Sequence, residues 1–291
     1  MDLEKKLKKY LQKNIPDIIF RDNKNYDLWY KVANNTDYLR IDYTRSLIDY
    51  RCEYFRDIFK LVDLSTIFIE NKQPVAIWPL TLITEKKKKK LSNFHINLLR
   101  PKLIKNLSKK RKKNIFAKSH QILKILGQKL KIRIIDLKIS TLENNADDIL
   151  WFNKHLLPNN QSKITKTEIY LDLSKSFEDI RSNFRKSYKP LINSNLSKFS
   201  CGILEDENIS IWNEFKKLHH ENAKKITRSG KTWSLQHLSL KKKEGFLVYL
   251  KKEEKYVGFG YFNFSKDECK YSVGAYDASE MEKFKSPLGH L

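Results

Sequence analysis

Glycine is scarce in this sequence, and its distribution restricts the folds that the chain can adopt. The 291 residues contain eight glycines, and the first 200 residues contain only Gly127. A loop that cradles phosphate needs several glycines, because only glycine lets the backbone turn tightly and approach the ligand. Residues 1–200 therefore lack a Walker-type loop and a GxGxxG fingerprint, while Gly258 and Gly260 lie within a strand pattern. This disfavours kinases, P-loop ATPases and Rossmann dehydrogenases.

The composition is that of a folded protein rather than of a disordered basic tail. Hydrophobic residues make up 40% of the chain and aromatic residues 12%, which is ample for a buried core. At roughly 150 residues per domain, the length predicts two domains or one large one. The cysteines Cys52, Cys201 and Cys269 lie far apart without metal-ligand spacing, so we expect neither a disulfide framework nor a bound metal.

The beginning of the chain is charged and amphipathic and has no apolar segment of the kind found in signal peptides. No stretch approaches the roughly 18 consecutive apolar residues that a transmembrane helix requires. We therefore expect a cytoplasmic protein with no transmembrane segment.

Positive charge is concentrated in residues 85–113, which we call the basic band. This stretch holds 13 Lys or Arg and one acid, Glu85, so it supplies half of the net charge of +24. Such a band attracts phosphate polyanions, and its partner would be RNA, an anionic membrane surface or a ligand with a pyrophosphate. The alternative is a solvated surface that reflects a lysine-rich composition throughout the chain.

Hydrophobic periodicity and turn residues predict two α/β units of one architecture, with a division near residue 160. In the first half the predicted elements are helices at 2–14, 42–60, 102–131 and 145–156, a hairpin of strands 66–70 and 75–83, and a strand at 131–140. In the second half they are a strand at 167–173, a basic helical region at 176–196 interrupted at Pro190, helices at 209–225 and 233–243, and strands at 245–250, 255–264 and 269–277. Ser286 and Pro287 are typical of a helix start, so we expect a second unit that is truncated at its C-terminus.

Several segments of the second half, and two of the first, occur in a familiar order and spacing. They are Phe184–Asn193, His219, Thr227–Trp233 with Gln236, Gly274–Asp277 and Pro287–His290, together with Asp63–Ser65 and Val75–Leu80. Over residues 40–291 this pattern resembles the FemAB-like branch of the GNAT acyltransferase superfamily. It is most similar to the members associated with surface polysaccharides and the cell envelope.

The resemblance implies two tandem GNAT-like (acyl-CoA N-acyltransferase) domains with mixed, mostly antiparallel sheets. The first would span residues 1–160, with the basic helix 2–14, and the second, incomplete, residues 161–291. It also implies an acyltransferase that moves an acyl or aminoacyl group to an amine of a peptidoglycan or surface-polysaccharide precursor. The donor would be acyl-CoA or aminoacyl-tRNA as a co-substrate, with no bound cofactor, and the acceptor a glycan or lipid-linked precursor. The pyrophosphate signature Arg/Gln-x-x-Gly-x-Gly/Ala is absent from both halves, which leaves the donor open.

Acyl transfer to an amine requires a base, and four residues are candidates for catalysis. They are His219, Tyr276 with its neighbour Asp277, and His290. Histidine titrates near neutral pH, and an adjacent aspartate can fix its tautomer. The alternative for each histidine is a structural or surface role. Because no Cys/His or Ser/His pairing is visible in the sequence, we expect no covalent enzyme intermediate.

The segment Thr227–Trp233 is the leading candidate for binding the donor or the acceptor. Arg228 and Lys231 flank a loop glycine, Thr232 is expected to cap the helix that follows, and Trp233 offers a stacking face. A capped helix with a core tryptophan is the alternative. The further binding candidates are Gln236, Gly274, and Arg185 and Lys186 of a basic stripe that also contains Arg181 and Lys189.

The strands of the second half supply the remaining element of catalysis. Backbone N–H groups near Gly258, Gly260 and Gly274 would stabilise the developing oxyanion, or these glycines would serve ordinary strand packing. Two rival functions remain. The first is a non-enzymatic RNA-binding protein that uses the basic band, and the second is a degenerate GNAT scaffold. Peripheral contact with an anionic membrane is a further candidate role for the band.

Overall fold

The computed structural model describes residues 3–86, 88–94, 96–132, 145–151, 169–206 and 208–284. The chain forms two compact units. The first unit comprises Met1–Asn159, Ser229–Gln236 and Phe264–Cys269, and the second comprises Asn160–Arg228, His237–Asn263 and Lys270–Leu291. The assignment of residues 1–160 and 161–291 to two separate domains stays a prediction.

Helices and strands alternate along both halves. The helices are α1 Leu3–Asn14, α2 Tyr26–Asn34, α3 Arg45–Arg56, α4 Lys109–Leu130, α5 Asn145–Trp151, α6 Phe177–Ser182, α7 Tyr188–Leu196, α8 Ile209–Ala223, α9 Gly230–Lys241 and α10 Ala278–Phe284. The strands are β1 Ile18–Phe20, β2 Lys60–Asp63, β3 Thr66–Glu70, β4 Gln73–Trp78, β5 Thr81–Glu85, β6 Lys88–Ser92, β7 Lys102–Leu103, β8 Ser200–Leu204, β9 Gly245–Lys252, β10 Lys255–Phe264 and β11 Cys269–Tyr276.

The first unit contains two antiparallel sheets, ordered β1-β3-β4-β7 and β2-β5-β6. The predicted hairpin is confirmed. Glu70 pairs with Gln73 across a two-residue turn in which Asn71 and Lys72 have φ values of 50° and 61°, as the favoured hairpin turns require. The single strand predicted at 75–83 is wrong, because β4 ends at Trp78 and β5 begins in the other sheet.

The core of the first unit forms where helices lay their apolar faces on these sheets. Leu7 and Leu11 of α1 are buried, as are the apolar residues of α4 at helical spacing. Trp78 and Trp151 pack edge to face with ring centroids 6.3 Å apart. Both indole N–H groups are satisfied, since Trp78 donates to the Leu99 carbonyl at 2.7 Å and Trp151 to Ser119 Oγ at 2.9 Å.

A buried charge cluster links three parts of the first unit. Arg21 donates to Asp49 Oδ1 at 2.5 Å, to the Tyr26 hydroxyl at 2.7 Å and to Asp63 Oδ2 at 2.6 Å. The other Asp63 oxygen accepts from the Ser65 backbone N–H at 2.9 Å. Because a buried guanidinium needs opposite charge and hydrogen-bond partners, the cluster holds β1, α3 and β2 in fixed positions.

The segment Phe264–Cys269 is held within the first unit by hydrogen bonds to residues near the start of the chain. Asp267 accepts from the Leu39 N–H at 2.6 Å and Glu268 accepts from the Ile41 N–H at 3.0 Å. The Ser265 hydroxyl donates to the Leu39 carbonyl at 2.6 Å. Burial raises the pKa of Glu268 above its usual value.

Part of the basic band has a structural role in the first unit. Arg100 pairs with Asp148 at 2.9 Å, and both side chains are buried. Arg111 pairs with Glu70 at 2.5 Å and Lys112 with Asp147 at 2.9 Å, while Lys102 is buried. The band is therefore not one continuous solvated surface. Its other described lysines include exposed residues of β6 and of the first turn of α4.

The second unit is built on one sheet ordered β11-β10-β9-β8. Helix α8 covers one face of this sheet, since Phe215 packs against Phe259 and Trp212 against Tyr261 at ring distances of 5.6 and 6.0 Å. The register shifts between Tyr256 and Gly258, which is a bulge in β10. The three predicted strands at 245–277 are confirmed, and β8 is an additional strand that the sequence did not predict.

Two predictions for the second half are wrong. Residues 169–173 of the strand predicted at 167–173 form no strand, and their apolar side chains are exposed. The helical region at 176–196 is interrupted at 183–187 rather than at Pro190. Pro190 is the third residue of α7, and the first turn of a helix tolerates proline because its N–H groups have no intrahelical partner. Of the strand predicted at 131–140, all but residues 131–132 lie outside the described residues. The C-terminal segment that begins at Ser286 lies entirely outside them.

Among the residues that the structure describes, no helix has the length and apolar character needed to cross a membrane.

Candidate functional site

His219 lies near the end of α8, and both sides of its ring are engaged. Its Nε2 atom is 3.0 Å from the Thr227 hydroxyl, and its ring also hydrogen-bonds the Gly274 backbone in a way that raises the pKa. Only donation from the ring to the Gly274 carbonyl has that effect, because it favours the protonated imidazole. The neutral ring therefore carries its proton toward Gly274, and Nε2 accepts from Thr227.

The environment keeps this imidazole neutral near pH 7. Partial burial lowers the pKa of His219 below its usual 6.5, and the positive charge of Arg228 and the neighbouring His220 lower it further. A neutral imidazole with a fixed tautomer is the form in which histidine accepts a proton. The geometry thus supports His219 as a base, with Thr227 rather than Asp277 orienting the ring.

Tyr276 ends β11 beside the same site. Its backbone carbonyl accepts from Asn222 of α8 at 2.8 Å, and its hydroxyl lies 3.2 Å from the Tyr271 hydroxyl. Burial, followed by the hydrogen bond with Tyr271, raises the pKa of Tyr276 well above its usual value. The hydroxyl therefore stays protonated at neutral pH and is suited to donating a hydrogen bond, not to acting as a base.

Asp277 has a structural role that explains its state of charge. Its Oδ1 atom accepts from the backbone N–H groups of Ser279 and Glu280 at 3.0 and 3.2 Å, so it caps α10. Its Oδ2 atom accepts from Lys255 at 2.7 Å. The hydrogen bond from Lys255, followed by one from the Ser279 hydroxyl at 2.6 Å, lowers the pKa of Asp277 to about 2. A carboxylate with this pKa does not take up a proton near pH 7, so Asp277 is a poor candidate for the base.

Arg228 is buried, with 9% of its surface exposed, and its charge acts on His219. The second unit therefore brings together three of the predicted site residues, which are His219, Arg228 and the backbone of Gly274, and Tyr276 reaches α8 through its carbonyl. Because Arg228 is buried, its removal is expected to lower the stability of the protein as well as any binding. An exposed loop residue with a role in binding alone would leave stability unchanged.

The residues of Ser229–Gln236 belong to the first unit. The predicted capping role of Thr232 is wrong, because Ser229 Oγ accepts from the Thr232 backbone N–H at 3.3 Å and α9 begins at Gly230. Thr232 and Gln236 are buried, and Trp233 is only 2% exposed. A buried indole presents no face to a ligand. The burial of Trp233 therefore favours its alternative role as a core residue. Lys231 is exposed and pairs with Glu53 at 2.8 Å.

Arg185 and Lys186 are exposed in the turn between α6 and α7. The single helical stripe predicted for Arg181, Arg185, Lys186 and Lys189 is wrong, because these residues fall on two helices and the turn that joins them. They remain candidates for contact with an anionic ligand. His290 and the rest of Pro287–His290 lie outside the described residues. Within the described ranges, no group of three His, Cys, Asp or Glu side chains is placed to hold a metal ion.

The site contains two residues that the sequence analysis did not single out for it. Thr227 was noted only as the start of a segment, and Tyr271 was not noted at all. One six-residue stretch of β11 holds Tyr271, Gly274 and Tyr276. Two tyrosines this close to a strand glycine were the sequence feature from which Tyr271 could have been identified. The sequence offered no Cys/His or Ser/His pairing, and the hydroxyl that the structure places beside His219 is that of Thr227.

Comparison with known proteins gives one informative relation, which is structural. No family model and no curated protein matches the sequence. The structure is similar to that of FemX, with a TM-score of 0.59 and 9% sequence identity over 94% of this chain and 83% of FemX. A conserved protein of unknown function from Bacteroides thetaiotaomicron VPI-5482 has a TM-score of 0.49 and 11% identity over 90% of this chain and 80% of its own. The chain therefore has the tandem GNAT-like fold of FemX, and the FemAB-like resemblance seen in the sequence is confirmed at the level of the fold.

Proposed function

We propose that this protein is a FemAB-like transferase that moves an acyl or aminoacyl group to an amine of a cell-envelope precursor. The observation that carries the proposal is the neutral, oriented His219 beside β11, in a chain with the fold of FemX. The acceptor is a peptidoglycan or surface-polysaccharide precursor. The donor is aminoacyl-tRNA or acyl-CoA, and we propose that the reaction takes place in the cytoplasm, where both occur.

The reaction needs one proton transfer away from the attacking amine. The amine nitrogen attacks the acyl carbonyl, a C–N bond forms, and the bond from the carbonyl carbon to the donor oxygen or sulfur breaks. The amine proton passes to the Thr227 hydroxyl as Thr227 gives its own proton to His219 Nε2, and the protonated His219 then returns a proton, through Thr227, to the leaving oxygen or sulfur. The contact of 3.0 Å between Thr227 and His219 is short enough for this transfer.

The developing negative charge on the carbonyl oxygen also needs hydrogen-bond donors. Backbone N–H groups beside the bulge between Tyr256 and Gly258 are candidates, since a bulge takes backbone groups out of the regular ladder. Arg228 favours the neutral form of His219 and so maintains the base in its active state.

The test is a transfer assay with defined donors. A pool of charged tRNA, or a set of acyl-CoAs, is incubated with a UDP-linked muropeptide that carries a free amine, and the product is identified by mass. We expect one donor class to give the acylated product, and His219→Gln to lower kcat by about 100-fold. His120→Gln, a histidine of the first unit that packs on Trp151, is the matched control. Absence of product with every donor would favour the scaffold, and a product formed equally by His219→Gln would remove His219 from the mechanism.

A further inference from the structure

The face of the second unit's sheet that lies opposite α8 carries two tyrosine rings that lie over glycines. A Cβ atom added to Gly274 would overlap the Tyr271 hydroxyl and lie 2.7 Å from the Tyr276 ring. One added to Gly258 would lie 3.0 Å from the Tyr276 ring, and one added to Gly260 would lie 3.4 Å from the Tyr271 ring. Real Cβ contacts are almost never as short as those at Gly274, so the two rings occupy space that any other residue there would fill.

These glycines leave room for the tyrosine rings and are not needed for an unusual backbone conformation. No glycine among the described residues has a positive φ, so none of the three is needed for a left-handed turn. Glycine inside a strand is destabilising relative to alanine, because it loses more conformational freedom on folding. The chain tolerates this cost at three positions of two adjacent strands, and the result is that Tyr271 and Tyr276 lie flat on the sheet.

The surface continues beyond the two tyrosines. Phe262 packs edge to face with Tyr271 at 5.5 Å, and Phe246 stacks on Phe262 at 5.0 Å with ring planes 6° apart. We call Phe246, Phe262, Tyr271 and Tyr276 the aromatic platform. Phe262 shares a sheet face with Gly258 and Gly260, whereas Phe259 points to the opposite face, which α8 covers. The platform is therefore not part of the core beneath α8. Tyr276 packs against a second buried cluster of Phe199, Leu250 and Val257, whereas Tyr271 is 49% exposed.

The polar groups at the edge of the platform indicate the chemistry of its ligand. The Tyr271 and Tyr276 hydroxyls lie 3.2 Å apart, and together they retain donor and acceptor capacity toward a third group. Two carboxylates that follow β11 are neutralised by lysines, Asp277 by Lys255 at 2.7 Å and Glu280 by Lys252 at 3.1 Å. This arrangement favours a neutral ring with hydroxyl groups over a nucleotide phosphate.

We propose that the aromatic platform binds a pyranose ring of the glycan acceptor, with the apolar face of the sugar on the tyrosine rings and its hydroxyls at the tyrosine hydroxyls. This inference rests on the proposed function, because the sugar is taken to be part of the glycan acceptor of the transfer reaction. It places the sugar on the face of the sheet opposite α8, and Gly274 and Tyr276 reach the transfer site through their backbone atoms.

The experiment measures sugar binding at equilibrium, without any donor. Chitotetraose, a soluble oligosaccharide of N-acetylglucosamine, is titrated into the full chain and followed by calorimetry and by saturation-transfer NMR. We expect binding that weakens by about tenfold in Tyr271→Ala, the loss of one stacking interaction. Tyr271→Phe, which keeps the ring, is expected to lose less. Gly274→Ala, which displaces both rings, is expected to lose binding like Tyr271→Ala.

Controls separate this inference from a general loss of structure and from the proposed function. Gly127→Ala adds a Cβ that meets nothing within 4 Å and should bind chitotetraose as the wild type does. If Gly274→Ala fails to fold, the two Tyr271 variants still test the inference, because the Tyr271 side chain is half exposed. No binding to the wild-type chain, equal binding to Tyr271→Ala, or preference for adenosine over the sugar would each overturn the inference. Transfer activity is measured separately, so an active enzyme that ignores chitotetraose refutes the platform and leaves the proposed function standing.

Discussion

Removing Asp63 from the buried charge cluster provides a strong test of how the first unit is held together. In Asp63→Ala, Arg21 loses the partner of its Nη2 atom at 2.6 Å, and the buried Ser65 N–H loses its acceptor at 2.9 Å. Arg21 keeps Asp49 at 2.5 Å and the Tyr26 hydroxyl at 2.7 Å. The guanidinium is therefore left partly, not wholly, uncompensated.

The expected loss of unfolding free energy follows from these contacts. Removing one partner of a buried ion pair costs about 3–5 kcal/mol, and the retained Asp49 contact places Asp63→Ala near the lower end, at about 3 kcal/mol. Burial raises the pKa of Asp63, but Arg21 and the Ser65 hydrogen bonds outweigh burial and the net pKa lies below its usual value. The contribution of Asp63 is therefore present above about pH 4 and is lost as the pH falls further.

The assay is urea denaturation followed by tryptophan fluorescence and circular dichroism at pH 7 and at pH 3. The matched control is Asp17→Ala, which removes the exposed pair with Lys118 at 2.8 Å and should cost less than about 1 kcal/mol. At pH 3 the difference between the wild type and Asp63→Ala should shrink. A loss below about 1 kcal/mol at pH 7, or a difference that does not change with pH, would show that Arg21 is compensated without Asp63.

Other predictions follow from the second unit and from α9. The transfer rate should rise with pH through a midpoint below 6.5 and stay level near neutrality, because His219 must be neutral. Thr227→Val should move that midpoint upward, since it removes a hydrogen bond to the neutral ring. An unchanged midpoint would exclude the hydrogen bond between Thr227 and His219. Asp277→Ala should cost about 1 kcal/mol in urea melts through the lost cap and leave transfer intact, whereas abolished transfer in a folded variant would restore Asp277 as a base. Trp233→Ala should cost about 3–5 kcal/mol in the same melts because the indole is buried, and a stable variant would return Trp233 to a ligand-binding role.

Local pattern was enough to predict much of the fold. The turn at Asn71 and Lys72, and the β-rich runs that short turns separate in the second half, predicted their strands, because turn and strand preferences are set by nearby residues. Residues 167–173 show where this reasoning stops. Their alternation is that of a strand, but whether an alternating segment pairs depends on a neighbour that the segment itself does not specify.

The candidate site was predictable in its residues and not in its contacts. His219 and Gly274 were identified from the sequence, but the contact of His219 with Thr227 exists only because the chain turns back after α8. The strand glycines were expected either to admit a ligand to the backbone or to serve strand packing, and they accommodate tyrosine rings. The two roles offered for Trp233 could not be separated from the sequence, because burial of a residue at the start of a helix is decided by tertiary packing.

The hydrogen bonds that hold Phe264–Cys269 in the first unit set an order on its biosynthesis. Leu39 and Asp267 are separated by 228 residues, and Ile41 and Glu268 by 227. At translation rates of about 5–20 residues per second, the second partner of each bond emerges roughly 10–50 s after the first. During that interval the N–H groups of Leu39 and Ile41 are without these partners on the ribosome. The first unit is therefore completed only near the end of synthesis, so a nascent chain arrested before residue 267 should be more sensitive to protease around residues 36–41 than the finished protein.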